Sequence, residues 1–340
     1  MEKVKVCLLG AGRAGEVHGD VYKWSVPDSE ITAIVDKDSA KLNNLGTKYG
    51  INSKNLFTDI ESALSSLTID AIVITSPTFT HAEYVIKSAD HGINVFCEKP
   101  MALTVEDCAR MISACEKNKV LLQIGFMRRF DKGFMHAKEL IDNGIIGRPM
   151  IIKTNTRGPG LPGEWAFDHN NSNGMLAEVN SHDFDTVRWF SDSEFKSIYA
   201  LASNLKSKDI GKKYNGFYDT ATISGKMKND TMFLIDGVCP CDYGYDARSE
   251  IIGEKGVIFI GQLYDGTSII CTREKGIVAP QIMSWRNRFK EAYIAEDRHF
   301  VECILECKQP EVTGFDGEKT VLAVIEANKS IISGKPIEIK

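Results

Sequence analysis

Two short stretches carry residue types able to move a proton. In "NVFCEKPMALT", residues 94–104, an apolar run breaks abruptly into Glu98-Lys99-Pro100. In "AEVNSHDFD", residues 177–185, Glu178 and His182 stand four apart, which on a helix puts both side chains on one face. An amine, a carboxylate and an imidazole are the usual groups of general acid–base catalysis. Lysine in particular becomes a usable base when burial or a neighbouring positive charge lowers its pKa. The ordinary alternatives are a charged turn leading into the next helix and a plain helix histidine. The Lys99–Pro100 bond is a candidate for cis geometry, which would fix the direction of the lysine.

A third stretch supplies a reason for such groups. "VCLLGAGRAGEVHG" holds Gly10-Ala-Gly12-Arg13-Ala14-Gly15 between an apolar strand pattern and a helical one. In that context the first glycine makes a tight turn, the second admits a pyrophosphate, and the third lets helix and strand pack closely. The helix N-terminal N–H groups then face the anion. Asp36 closes "TAIVD", 21 residues beyond Gly15. A carboxylate there accepts from both adenosine ribose hydroxyls and repels a 2′-phosphate, so NAD is favoured over NADP; Lys37 weakens that preference. "ITSPTFTH", residues 74–81, offers Ser76, Pro77, Thr78 and His81 at the same cofactor edge, with Thr78 or Thr80 as a helix cap. The alternative is a glycine turn and a solvated Asp in an unrelated α/β protein.

Positioning these groups requires strand tips on one sheet edge, and the pattern provides them. Short β-branched runs at 4–9, 31–35, 71–75, 93–96 and 120–124 alternate with amphipathic segments at 14–24, 39–49, 59–67, 80–91 and 105–118. Strands without polar alternation, separated by helices, indicate a parallel doubly wound sheet buried on both faces. Thr104 is the expected N-cap of 105–118, with Val105, Cys108, Ala109, Met111, Ile112 and Cys115 on its apolar face. After Phe130 the grammar changes. A helix at 134–143 precedes alternating runs at 150–156, 197–203, 220–225, 231–237, 250–252, 257–260 and 268–272, and helices at 289–307 and 316–333 close the chain. This reads as an α+β domain with a large, mostly antiparallel sheet. The domain cut is expected at 124: residues 1–124 form the first domain, which carries the dinucleotide motif, and 125–340 form the second.

Bulk properties exclude several classes. The 340 residues are 43% hydrophobic and 26% charged, the balance of a globular protein with two domains. A net charge of −5 without a Lys/Arg block argues against nucleic acid or an anionic membrane as partner. The N-terminal apolar run ends in a glycine turn, not a cleavage site, and no stretch nears the roughly 18 apolar residues of a membrane span, so a cytoplasmic location is expected. Nine scattered cysteines without a CxxC pair suggest reduced, buried thiols. Cys303 and Cys307 at helical spacing fall short of a zinc ligand set, and no metal is expected.

With these motifs in place the chain resembles the Gfo/Idh/MocA oxidoreductases, which include inositol and sugar dehydrogenases. Gly10–Gly15 with His18, "ITSPTFTH", "CEKP", "IGFMRRFD", "GMLAEVNSHDFDTVRWF", "RFKEAYIAED" and "VTGFDGEKTVLAVIEANKSI" occur in the family's order over nearly the whole length. The resemblance implies a Rossmann domain followed by an open-faced sheet that forms homodimers or homotetramers. It makes Lys99 the catalytic lysine and His182 a proton donor or acceptor that reaches Lys99 across an interdomain cleft. The family pattern at 178 is Asp; Glu178 here leaves that residue's role, catalytic or substrate-binding, open. Glu98 and Arg128 are further cofactor candidates; of Arg128 and Arg129, one is expected to contact substrate or cofactor and the other to make a structural ion pair. Arg157 and Trp165, which bracket the Gly/Pro loop 158–163, and Asn180 are substrate candidates; Tyr243, Tyr245 and Tyr293 are weaker ones. Asp183 and Asp185 are expected to support the fold. The implied activity is NAD-dependent oxidation of a secondary ring hydroxyl of a cyclic polyol, as in inositol dehydrogenases. A sugar or glycoside dehydrogenase with tightly held NAD, and an NAD-sensing regulator without catalysis, are the alternatives.

Overall fold

The computed structural model describes residues 3–266 and 268–339. Two compact units divide the chain: Met1–Phe130 with Glu291–Val321, and Asp131–Lys290 with Leu322–Lys340.

In the first unit, β1 (Val4–Leu9), β2 (Ser29–Val35), β3 (Leu56–Phe57), β4 (Ala71–Ile74), β5 (Asn94–Glu98) and β6 (Leu122–Gly125) form one parallel sheet in the order β3-β2-β1-β4-β5-β6. The connecting helices are α1 (Arg13–Trp24), α2 (Ser39–Tyr49), α3 (Ile60–Ser66), α4 (His81–Asp90) and α5 (Val105–Asn118). The strand order reverses between β1 and β4, where such sheets open a crevice at their carboxyl ends. Val6, Leu8, Ile34, Ile72, Val73, Val95 and Phe96 are fully buried. Each contributes about 1.5–3 kcal/mol through burial, which explains why these strands lack polar alternation. Capping residues set the helix starts. Asp38 accepts from the Ala40 and Lys41 amides, and Thr104 from Asp107 N–H at 3.0 Å. Thr80 stands at the N-cap of α4, but its hydroxyl donates to Pro77 O and leaves the helix amides to other partners. The two-residue β3 is too short for a periodic signal.

The second unit begins with α6 (Lys132–Asp142), β7 (Pro149–Arg157), α7 (His169–Ser172), α8 (Gly174–Glu178), α9 (Ser181–Ser191), β8 (Phe195–Ser203), α10 (Lys208–Lys213), β9 (Thr220–Met227) and β10 (Met232–Val238). It continues through β11 (Ser249–Gly253), β12 (Val257–Ile260), β13 (Ile270–Thr272), β14 (Gly276–Val278) and α11 (Trp285–Arg288). The chain closes with α12 (Lys290–Glu306), α13 (Gly314–Ser333) and β15 (Ile337–Glu338). Seven strands make a sheet in the order β12-β11-β7-β10-β9-β8-β15, antiparallel except for β7 beside β10. The run at 268–272 supplies β13, which pairs only with β14 in a separate hairpin.

Helix α9 packs against β7 and β10. One row of the sheet holds Val257, Ile252, Ile151 and Met232; the next holds Phe259, Glu250, Lys153 and Leu234. Phe259 is 71% exposed, Met232 48% and Leu234 46%, so large apolar side chains stand in solvent on these rows, on either side of the Lys153–Glu250 ion pair.

The division departs from a single cut at 124. Residues 125–130 remain with the first unit, and the chain returns to it at 291–321. Gln123 Nε2 donates to Glu296 O at 3.2 Å, and Ile124 N to Val312 O at 3.1 Å. A return of this kind leaves no trace in local periodicity. All nine cysteines are free thiols; seven are buried, whereas Cys271 and Cys307 are exposed, against expectation. His299 Nε2 lies 3.4 Å from Cys303 Sγ, a histidine neighbour the spacing had not flagged. Among the described residues no His/Cys/Asp/Glu cluster could hold a metal ion, and no helix is long and apolar enough to cross a membrane.

Candidate active site

The glycine loop is built by close approach. Gly10 has φ +107°, and a Cβ at Gly15 would fall on the Gly10 carbonyl oxygen. The Thr75 hydroxyl donates to that same oxygen at 2.9 Å, joining the tips of β1 and β4. Gly12 differs: a Cβ there would meet nothing within 4 Å, and Gly12 caps α1 without a side-chain bond. The loop is therefore closed where the chain packs on itself and open where a pyrophosphate would approach. This arrangement fits a dinucleotide. Arg13 is exposed and Ala14 half-buried on the same turn.

Asp36, just beyond β2, accepts from Ala11 N–H at 2.6 Å and from Asp38 N–H at 2.8 Å. A carboxylate has about four acceptor positions, so two remain for ribose hydroxyls. Lys37 is exposed beside it. Ser76 and Pro77 are half-buried past β4, and Thr78 is buried. His81 sits deeper than a cofactor contact requires: it is buried, with Nδ1 2.9 Å from Pro100 O and Nε2 2.8 Å from Ser76 O. Burial pulls its pKa below the ordinary imidazole range, against the pull of both carbonyls. In this position it braces the β4 and β5 loops against each other.

Lys99 follows the last residue of β5 and is half-buried, and the Lys99–Pro100 bond is cis. Its main-chain N–H donates to Glu98 Oε2 at 2.9 Å. Glu98 is buried rather than presented at a surface. Its Oε1 lies 3.0 Å from His18 Nε2, and His18 Nδ1 lies 2.8 Å from Asp297 Oδ1. Burial alone would lower the His18 pKa; the two carboxylates outweigh it and raise the value well above the ordinary one. A Cβ at Gly125 would come within 3.0 Å of the Glu98 carboxyl carbon, so β6 leaves just enough room for this acid. His18, Asp297 and Gly125 entered the sequence reading only as motif letters, with no role attached. Of the two arginines, Arg129 makes an ion pair, with Asp316 at 3.0 Å, and Arg128 is 1% exposed.

In the second unit the helix expected through Glu178 and His182 is broken. Glu178 ends α8, Val179 and Asn180 intervene, and His182 is the second residue of α9. The cause lies in Asn180, which is fully buried. Its amide donates to Asp183 Oδ2 at 2.7 Å and to Asp236 O at 3.2 Å, against Gly237. Asn180 is thus held by its amide nitrogen between α9 and β10. Asp183 also accepts from the Thr154 and Thr156 hydroxyls at 2.8 and 2.7 Å, and it anchors α9 to β7. His182 is buried at 6% exposure.

Arg157 is likewise committed within the protein. It pairs with both Asp236 oxygens at 2.5 and 2.8 Å and reaches Tyr243 OH at 3.2 Å and Asp246 at 3.4 Å. Trp165 is half-buried in a short 3-10 turn after the 158–163 loop, which Cys239 Sγ ties down through Gly160 O.

Residues 4–126 match the Gfo/Idh/MocA family, described as "Oxidoreductase family, NAD-binding Rossmann fold", and residues 134–259 match its C-terminal domain. The chain belongs to the Gfo/Idh/MocA oxidoreductases. Similar proteins include myo-inositol 2-dehydrogenase of Thermotoga maritima, 31% identical across 99% of both chains. Another is scyllo-inositol 2-dehydrogenase (NAD(+)) of Bacillus subtilis, 32% identical over 99% of this chain and 96% of that one. Among solved structures, myo-inositol 2-dehydrogenase from Lactobacillus plantarum superposes with TM-score 0.92 at 27% identity over both complete chains. Scyllo-inositol dehydrogenase from Lactobacillus casei, with bound NAD(H) and scyllo-inositol, gives 0.90 at 25% identity over 99% of each chain. The chain is an NAD-dependent oxidoreductase of this family, acting on CH–OH groups.

The Arg157 network yields a pH prediction. Burial works to raise the Asp246 carboxyl, but hydrogen bonds from Arg248 and Tyr243 outweigh it and leave the pKa below its ordinary value of 3.8. A depressed folded-state value gives stability that is present above the unfolded pKa and lost as pH falls through the folded one. Asp246→Asn should therefore cost about 1–3 kcal/mol at neutral pH, a deficit that shrinks in acid. Thermal unfolding against pH measures it; a pH-independent deficit would contradict the assignment.

Proposed function

We propose that the protein oxidises one secondary ring hydroxyl of an inositol or a similar cyclic polyol, with Lys99 taking the hydroxyl proton. The observation that carries this reading is the placement of Lys99 on the tip of β5, one strand from the β1/β4 crevice and braced from beneath by Glu98. Bound NAD supplies a hydride acceptor in its nicotinamide ring. The carbinol carbon loses a hydride, the hydroxyl loses a proton, and a ketone remains.

Lys99 receives the proton in this scheme, and His182 assists as the second proton-handling group. Glu178 is assigned to the substrate, where its extra methylene relative to Asp alters reach. Asp36 holds the adenosine ribose, and Gly10, Gly12 and Gly15 admit the pyrophosphate. Trp165 offers a flat face for a ring substrate. Arg157, held by Asp236, contributes to shape more than to direct contact. The inositol dehydrogenases named above support a polyol over a glycoside.

Rates with inositols, free sugars and glycosides, followed at the absorbance of reduced cofactor with NAD and NADP, identify the substrate. Lys99→Met should lower kcat by roughly 10²–10⁴-fold while NAD affinity stays near wild type. Turnover at the wild-type rate would overturn the lysine's role.

The exposed apolar rows around Phe259, Leu234 and Met232 are the assigned interface of a homodimer or homotetramer. Uncovered patches of this kind mark protein contacts. Phe259→Glu should shift the protein to monomer in light scattering after size exclusion. An unchanged oligomer, or a monomeric wild type, would refute the assignment.

A further inference from the structure

We infer that His18 is a positioning residue of the reaction: backed by Asp297, it fixes the Glu98 carboxylate that holds the Lys99 main chain. The inference rests on the role proposed above for Lys99. It joins the helix that opens at the glycine loop to the strand tip bearing the lysine, so that the cofactor's cradle and the proton acceptor are set by one rigid chain of contacts.

The geometry is specific. His18 comes from α1, six residues beyond Gly12, and is fully buried. Nε2 meets Glu98 Oε1 at 3.0 Å, and Nδ1 meets both Asp297 oxygens at 2.8 and 3.0 Å. Glu98 Oε2 remains for the Lys99 N–H. Ring packing holds the imidazole plane: Tyr293 stands edge-on at 5.4 Å and Phe96 tilts at 4.9 Å. Tyr22 of the same helix and Glu296 of α12 complete the ionisable groups around the Asp297 carboxyl.

A satisfied core histidine needs one acceptor and one donor. His18 instead faces a carboxylate at each nitrogen, and ionised carboxylates only accept. With both carboxylates ionised the ring donates to each only as an imidazolium, whose charge opposes the burial that pushes the Asp297 carboxyl up. Apolar residues of similar volume would often be as stable or more stable there. What the cluster provides is direction. The bond to Asp297 fixes the ring, the bond to Oε1 fixes one Glu98 rotamer, and that rotamer aims Oε2 at the peptide N–H of Lys99. A displacement of about 1 Å at a reacting group can cost 10²-fold in rate.

The test uses the full-length enzyme with NAD and the best polyol of the substrate panel. His18→Gln should lower kcat roughly ten- to a hundredfold, as removal of an orienting partner does, with the polyol KM and NAD affinity near wild type. Asp297→Asn should shift the same parameters in the same direction by less. Wild-type kcat in both variants beside an inactive Lys99→Met would overturn the role of His18 alone, whereas an active Lys99→Met would overturn the lysine reading and this inference with it. Should His18→Gln fail to fold, nitrogen NMR of histidine-labelled wild-type enzyme decides. Protons on both ring nitrogens at neutral pH support the inference, and a singly protonated ring refutes it.

Discussion

A buried acid at a strand tip is the constraint on which the rest turns. Glu98 closes β5 with its carboxylate inside the protein, one oxygen on His18 and the other on the Lys99 N–H. An isolated carboxylate would not stay ionised there. Everything around it answers that cost: an imidazole from α1, a second acid from α12, and a glycine on β6 that leaves space. The return of residues 291–321 to the first unit brings Asp297 to His18.

The cofactor side of the sheet is governed by packing distance rather than charge. Gly10 and Gly15 are fixed by contact with the backbone, and Gly12 is left clear. Asp36 ties the loop through Ala11 N–H and the start of α2 through Asp38 N–H. His81 works in the same way beneath the β4 and β5 loops. Few of these residues need to touch a substrate to matter, since the geometry of the strand tips depends on them.

Much of this was legible in the sequence. The parallel strands came through because burial on both faces removes polar alternation, and α5 was bounded by its Thr104 cap, which carries its own chemical signature. The glycine turn after β1 and the acid after β2 stood out because their type and spacing form a dinucleotide pattern, and Lys99 because a charged triplet interrupts an apolar strand. Other features depend on tertiary contact and left no local trace. The break between Glu178 and His182 arises from Asn180 bonding Asp236 and Asp183, partners far away or around a turn. The burial of Asn180, the commitment of Arg157 to Asp236, and the Asp297–His18 pair separated by 279 residues are of the same kind. The two-residue β3 and β15 are too short for any period to register.

The central claim is that the Lys99 amine takes the proton from the hydroxyl being oxidised. The most direct measurement is a crystal structure of the enzyme with NAD and the polyol it oxidises. The account predicts Lys99 Nζ within about 3 Å of that oxygen, with the carbinol hydrogen directed at the nicotinamide. Nζ bonded elsewhere, with the oxygen held by another side chain, would contradict it.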